Sequence, residues 1–306
     1  MPDIKTVAIV GGGLIGASWA ALFTAGGIDV VAWDPDATAR ALFRERVNAA
    51  RRQLAKLGYR GRGKLKIVAR LKAAVADADL IQENAPEKLE LKHRLFAEIV
   101  AAAKPQATIA SSTSSFAWSA LTEGMKEPSR LIVSHPFNPP HLVPLVELFG
   151  TDAARVQAAA VFYEAMGKVT IRMKREAPGH VANRLASALW REAVHIVAEG
   201  IADVADVDRA LVEGPGLRWS IQGAHMTYHL GGGEGGIRHY LDHLGPSQEK
   251  RWAALGSPSL TPEVKDMLVQ GVENEAAGRS ISELSAERDA TLIEALKLRA
   301  KQKRKM

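Results

Sequence analysis

Two stretches of this sequence carry side chains that could move a proton. Ser134-His135-Pro136-Phe137-Asn138 places an imidazole just after an apolar run, and Glu147 follows twelve residues later. An imidazole ordinarily titrates near neutrality, so a histidine can take a hydroxyl proton while hydride leaves the same carbon. A carboxylate within reach, such as Glu147, could orient and polarise it. Two further segments hold complementary groups: Gln82-Glu83-Asn84-Ala85-Pro86-Glu87 and Ser111-Ser112-Thr113-Ser114-Ser115. Each residue also has a plainer reading taken singly. A His-Pro can be a structural turn, Glu147 an edge carboxylate, Ser114 a helix cap, Asn183 a helix-face polar group and Lys92 a solvated lysine.

Gly11-Gly12-Gly13-Leu14-Ile15-Gly16 forms a G-x-G-x-x-G after a short apolar run and before a helical one. Gly11 permits a tight turn, Gly13 lets backbone approach a pyrophosphate, and Gly16 lets the helix pack on the strand. The helix N-terminus at Leu14 and Ile15 offers free N–H groups to phosphates. Asp34 lies 18 residues after Gly16, where a carboxylate would hold both ribose hydroxyls. It would repel a 2′-phosphate, and Pro35 supplies no cation, so the expected cofactor is NAD rather than NADP.

These groups need a frame that brings them together. Strands are expected at Val7–Val10, Asp29–Trp33, Lys66–Val68, Leu80–Gln82, Thr108–Ala110, Leu131–Ser134, Val143–Leu148 and Lys168–Arg172, with helices at Leu14–Ala25, Ala37–Leu57 and Glu87–Ala103. Strand–helix alternation of this kind predicts an α/β, Rossmann-type, mostly parallel sheet. In such a sheet the carboxyl ends of the strands line one crevice, where the dinucleotide would also lie. From Pro178 the pattern becomes helical. Helices are expected from Pro178, with Val181, Leu185, Leu189 and Ile196 on one face, then at Val204–Glu213, Trp219–His229, Ile237–Leu244, Pro262–Ala277 and Ile281–Lys301. Ser280 and Glu283 suit a capping box for the last. The expected organisation is a cofactor domain over 1–177 and an all-α substrate and dimerisation domain over 178–306.

The combination G-G-G-L-I-G at 11–16, Q-E-N-A-P-E-K-L-E-L-K at 82–92, S-S-T-S-S at 111–115, H-P-F-N-P-P-H-L-V-P-L-V-E at 135–147 and G-H-V-A-N-R-L at 179–185 resembles the L-3-hydroxyacyl-CoA dehydrogenase superfamily over nearly the whole chain. The resemblance is closest to its branch of L-gulonate 3-dehydrogenase (lambda-crystallin) and L-carnitine dehydrogenase. It implies His135 as catalytic base, Glu147 as its partner, and Ser114 and Asn183 at the substrate oxygen. It also implies Glu87, Lys92, Ser114 and Asn138 at the cofactor, and a homodimer through the C-terminal helices. Arg218 is a candidate carboxylate clamp, with a structural salt bridge as the alternative. The expected activity is NAD-dependent oxidation of a small L-3-hydroxy acid, gulonate- or carnitine-like, to the 3-keto acid. The alternatives are a 3-hydroxyacyl-CoA dehydrogenase and a non-catalytic, crystallin-like dinucleotide binder. A short, glycine-broken segment over Arg40–Lys66 disfavours a CoA thioester. Met226 and His141 depart from the resembling pattern at positions that bear on the substrate pocket.

Composition narrows the rest. With 306 residues, 47% hydrophobic and 24% charged, the chain reads as an ordinary globular protein whose length fits two domains, or one large domain with an appendage. The absence of cysteine excludes disulfides, thiol nucleophiles and Cys-ligated metal. The net charge of +6 arises from six basic residues between Lys297 and Met306. Nucleic acid is therefore not an expected partner. The uncharged run Thr6–Ile28 is broken by six glycines and reads as strand, turn and helix rather than a membrane span. No signal peptide is read, so a cytoplasmic location is expected. The pairs His225/His229 and His239/His243 lack an acidic partner motif and are read as pocket lining or helix surface, not as a metal site.

Overall fold

The computed structural model describes residues 4–303. The tail residues Arg304 and Lys305 lie outside that range. The chain divides into two compact units, Met1–Asn183 with Glu287–Met306, and Arg184–Ala286.

The first unit is built on an eight-stranded sheet. Its strands are β1 (Thr6–Val10), β2 (Asp29–Trp33), β3 (Leu65–Val68), β4 (Leu80–Glu83), β5 (Thr108–Ser111), β6 (Leu131–Pro136), β7 (Leu145–Phe149) and β8 (Val169–Arg172). Their order is β3-β2-β1-β4-β5-β6-β7-β8. All neighbours are parallel except β6 and β7, so β7 and β8 run against the rest. Order reverses between β1 and β4, which opens the crevice expected of such sheets.

Seven helices contact this sheet or continue from it: α1 (Leu14–Ala25), α2 (Ala37–Lys56), α3 (Leu71–Val75), α4 (Leu89–Ala102), α5 (Trp118–Thr122), α6 (Ala153–Ala165) and the start of α7 (Ala182–Ala198). One core joins alternate β1 residues Val7 and Ile9 to α1, α2 and α6 through Trp19, Phe23, Phe43, Leu54 and Tyr163. The other joins Ala8 and Val10 to α3, α4 and α5 through Val75, Phe96, Ile99 and Leu121. The period-two alternation of the strands thus feeds two apolar layers. Helix α6 was not expected from the sequence. Asp152 caps it, accepting from the N–H groups of Ala154 and Arg155.

The second unit contains the rest of α7, then α8 (Val204–Glu213), α9 (Pro215–Trp219), α10 (Ala224–Gly231), α11 (Gly236–Ala253) and α12 (Pro262–Ala276). Where a helix over Trp219–His229 was expected, α9 ends at Trp219 and α10 begins only at Ala224, and the expected Ile237–Leu244 continues through Pro246 to Ala253. Helix α7 starts at Ala182 rather than Pro178, because Gly179 and His180 both hold positive φ, at 72° and 53°, and turn the chain out of helix. The expected apolar face is largely open: Leu185 on α7 is 69% exposed, and Leu189 on α7 and Val181 just before it are exposed too. The final helix α13 (Ile281–Lys303) begins with the Ser280/Glu283 capping box, in which Glu283 accepts from the Ser280 N–H and Oγ–H at 2.8 Å each. From Glu287 it belongs to the first unit, where Ile293 is buried.

Candidate active site

The glycine loop connects β1 to α1. Gly11 holds φ 101°, and a β-carbon there would lie 2.7 Å from the Asn84 carbonyl oxygen. At Gly16 it would lie 2.0 Å from the Gly11 carbonyl oxygen. Gly13 differs, since nothing lies within 4 Å of where its β-carbon would be. No side chain caps α1 and no acid stands in its first turn. The loop therefore presents uncapped N–H groups beside open space, with Leu14 exposed and Ile15 half-buried next to it. Asp34, just beyond β2, accepts from Gly12 N–H at 2.6 Å and from Asp36 N–H at 2.8 Å. Its carboxylate keeps further lone pairs beside the loop. The set fits a dinucleotide: the open Gly13 and the α1 N-terminus can take a diphosphate, and Asp34 a ribose diol.

A crevice of about 430 Å³ lies beside this loop. It is lined by Ile15, Glu87, Lys92, Ser114, His135, Asn138 and Asn183 among the residues singled out by sequence, and by Asn84 and Phe137 in addition. Five segments bring them there: the loops after β1 and β4, the serine segment after β5, the end of β6 with the residues just after it, and the first turn of α7.

His135 and Glu147 meet because β6 and β7 are antiparallel in a register that sets them directly opposite. Cross-strand partners share a face, which turns a twelve-residue spacing into contact. His135 Nδ1 lies 2.7 Å from Glu147 Oε2. Glu147 Oε1 accepts from the N–H groups of Val181 and Ala182, both at 2.9 Å. Burial opposes ionisation of Glu147, but these bonds, from His135, Ala182 and Val181, hold its carboxyl below the usual carboxylate value. A carboxylate only accepts, so Nδ1 of His135 carries a proton. That leaves Nε2 as the ring nitrogen available to accept one.

Glu87 accepts from the Ser114 N–H at 2.5 Å and the Ser114 hydroxyl at 3.1 Å, and also from the Thr113 hydroxyl. Lys92 is a buried lysine, 1% exposed, bound to Glu83 Oε1 at 2.8 Å and to Glu87 Oε2 at 3.4 Å. Burial raises the Glu87 carboxyl, but Lys92 and the Ser114 and Thr113 bonds bring it below its ordinary value. Asn183 donates from Nδ2 to the Ser114 carbonyl at 3.2 Å. Ser114 thus lies between a carboxylate on one side and an amide on the other.

Sequence reading assigned no role of their own to four members of this neighbourhood. Glu83, fully buried, accepts from Lys92, the Ala85 N–H and the Ser111 hydroxyl. Gln82 and Tyr163 form a buried brace with Ser134 beneath the strand ends. His180 packs on His135. The available signal was polarity inside apolar strand runs, since a buried polar group needs partners.

Other residues fall elsewhere. Arg218 and Met226 belong to the second unit, where both are exposed, on α9 and α10. His141 is buried away from the crevice lining. It accepts at Nδ1 from the Ser18 hydroxyl at 2.7 Å and donates from Nε2 to Gln53 Oε1 at 2.5 Å, and Gln53 donates to Asp289. Burial first, with Lys168 and Arg288, lowers its pKa to about 4 against the pull of Asp289. In the second unit, His229 Nδ1 accepts from the Ile237 N–H, and His239 and His243 lie with ring centroids 4.0 Å apart.

Residues 6–177 match the 3-hydroxyacyl-CoA dehydrogenase NAD binding domain, and residues 179–270 match the C-terminal domain of the same family. The chain belongs to the 3-hydroxyacyl-CoA dehydrogenase family. It is an NAD-dependent oxidoreductase. Within the family it is 48% identical to L-carnitine dehydrogenase of Streptomyces coelicolor, across 96% of this chain and 95% of that protein. It is 44% identical to L-carnitine dehydrogenase of Pseudomonas putida, across 96% and 94%. Among solved structures it resembles the 5-formyl-3-hydroxy-2-methylpyridine 4-carboxylic acid 5-dehydrogenase, an NAD+ dependent dismutase, with a TM-score of 0.84 and 26% identity over 97% of this chain and 98% of that one. Among the described residues no helix is long and apolar enough to cross a membrane, and no three His, Asp or Glu side chains gather as a metal site.

Proposed function

We propose that this family member oxidises the 3-hydroxyl of a small L-3-hydroxy acid to the ketone, with L-carnitine the foremost candidate. The observation that carries the reading is the buried His135–Glu147 pair opening onto the crevice beside the glycine loop, in a chain 48% identical to an L-carnitine dehydrogenase. NAD, when bound, supplies the hydride acceptor. His135 takes the hydroxyl proton at Nε2, and Glu147 stabilises the imidazolium that forms. Ser114 and Asn183 hold the substrate oxygen, and Lys92 and Glu87 shape the cofactor side of the crevice together with Asn138. Gly11, Gly13, Leu14, Ile15, Gly16 and Asp34 hold the dinucleotide. Arg218 is proposed as a clamp for the substrate carboxylate, and residues 178–306 as the substrate and dimerisation domain beside a cofactor domain over 1–177.

The deciding experiment measures NAD reduction with L-carnitine, L-gulonate, 3-hydroxybutyrate and 3-hydroxybutyryl-CoA. Turnover led by L-carnitine supports the proposal. Preference for the CoA thioester overturns it, and tight NAD binding without turnover on any of them favours a non-catalytic protein.

We further propose a homodimer through the helical unit, supported by the exposed Leu185 and Leu189 on α7. A monomer in light scattering at micromolar concentration would refute it. A cytoplasmic location is likewise proposed, and fractionation of cells would test it.

A further inference from the structure

The loop between β8 and α7 sets a second histidine against the base. His180 is 2% exposed and holds φ 53°, a left-handed conformation uncommon outside glycine. Its ring centroid lies 5.0 Å from that of His135, with planes inclined at 44°. Phe137 lies 5.1 Å from His135 at 59°, so two rings bear on the imidazole of the base. His180 Nε2 lies 3.1 Å from the Thr113 carbonyl oxygen. A carbonyl only accepts, so Nε2 carries the proton and donates it. Thr113 immediately precedes Ser114, and its hydroxyl is bound to Glu87. The backbone just after His180 is fixed as well, because Val181 and Ala182 donate to Glu147 Oε1.

The groups around His180 are charged on several sides. His135 faces it from β6, Glu147 from β7, and Glu87 from the segment before α4, where Lys92 neutralises Glu87. Burial holds the His180 imidazole below its ordinary pKa; the Thr113 bond and the two carboxylates oppose this, and His135 works with it. A proton arriving on His135 makes a second cation beside it still less favourable.

We propose that His180 is a positioning residue for this reaction: its ring sets the plane of the His135 imidazole, and its Nε2–H bond to Thr113 fixes the Ser114 segment. The proposal rests on His135 being the base. The two contacts are separable by mutation. His180→Phe keeps a ring against His135 but removes the bond to Thr113. His180→Asn suits the left-handed backbone but removes the ring.

The test is steady-state NAD reduction with the hydroxy acid that the wild-type protein turns over, together with NAD affinity, melting temperature and the pH profile of kcat. In His180→Phe, KM for the hydroxy acid should rise about fivefold, the scale of one lost hydrogen bond, with kcat nearly unchanged. In His180→Asn, kcat should fall roughly ten- to a hundredfold, as expected when a base loses its alignment. NAD affinity should hold in both. The pH profile of kcat should keep its wild-type form in His180→Phe and change in His180→Asn, where water reaches the exposed face of the base. A merely structural role would lower both melting temperatures and leave no split between KM and kcat, overturning the proposal. Unchanged KM in His180→Phe overturns it, and unchanged kcat in His180→Asn overturns it alone, which keeps the test decisive even if His180→Phe fails to fold on its left-handed backbone. His135→Ala serves as the control. If it retains turnover, the reading of the base fails; if it is inactive while both His180 variants behave as wild type, only this inference fails.

Discussion

Replacing Glu147 by glutamine should disable the enzyme through a proton on the wrong nitrogen rather than through lost shape. The wild-type carboxylate divides its work: Oε1 takes two backbone N–H groups at 2.9 Å, and Oε2 takes His135 Nδ1 at 2.7 Å. A carboxamide has one accepting end and one donating end. If its oxygen serves Val181 and Ala182, its NH2 faces His135 Nδ1. That nitrogen must then accept, and the ring proton moves to Nε2, where no substrate proton can be received. If the amide flips, two buried N–H groups face an NH2, at about 1–3 kcal/mol each. Even the low end, ~2 kcal/mol together, favours the unproductive orientation roughly 30-fold. The upper bound is the ~10⁴-fold loss known for the equivalent exchange in a Ser-His-Asp triad. We therefore expect kcat to fall between roughly 30-fold and 10⁴-fold, read from NADH absorbance at saturating NAD and hydroxy acid. NAD affinity by calorimetry should hold, since the glycine loop is untouched. A variant within about threefold of wild type would show that Glu147 does not set the tautomer.

His135→Ala should lower kcat by roughly a hundredfold or more while NAD binding survives, because the general base and the dinucleotide loop are separate groups; near-normal turnover would mean another group is the base. NAD should be preferred over NADP by at least about tenfold in kcat/KM, since a 2′-phosphate would lie beside Asp34, and Asp34→Ala should narrow the gap. Equal use of both cofactors by the wild type would contradict this. Lys168 is buried over Trp19, donates to the carbonyls of Pro140 and Val143, and is brought down to about 7 by burial. Its unfolded value is ~10.4, so between the two the unfolded chain binds more protons and stability should rise as pH goes from about 7 to about 10. Urea midpoints across that range should climb in the wild type and flatten in Lys168→Met; identical slopes would exclude Lys168 as the source.

Much of the sheet was legible because strand and helix runs in the first unit are separated by glycine, proline or acidic caps. Each of the eight strands appears within a few residues of its expected place. Contact across the sheet was less legible. The spacing of His135 and Glu147 pointed to a pair, but only the antiparallel register explains why they touch. Lys92 reads as solvated from its helix alone, and its burial depends on Glu83, nine residues away on a strand. His141 looked like a substrate-pocket departure because it follows the active-site motif. Its true neighbours, Ser18 and Gln53, lie 123 and 88 residues away, a separation no local pattern reveals. Helix starts failed where the backbone turns left-handed, as at Gly179 and His180, since a histidine gives no local warning of positive φ.

The first compact unit is interrupted in sequence, and this orders its biosynthesis. Both cores of its sheet draw on residues between Val7 and Met166, all made before the second unit emerges. Gln53 and Ile293 meet their surroundings differently. Gln53 donates to Asp289 at 3.0 Å, and Ile293 is buried in a helix that reaches the first unit only after Ala286. A ribosome therefore releases a sheet with its glycine loop in place well before the outer face of α2 is closed. Domains consolidate from the N-terminus during synthesis. The Ser18–His141–Gln53 chain of hydrogen bonds therefore gains its Asp289 partner only once the last helix has been made.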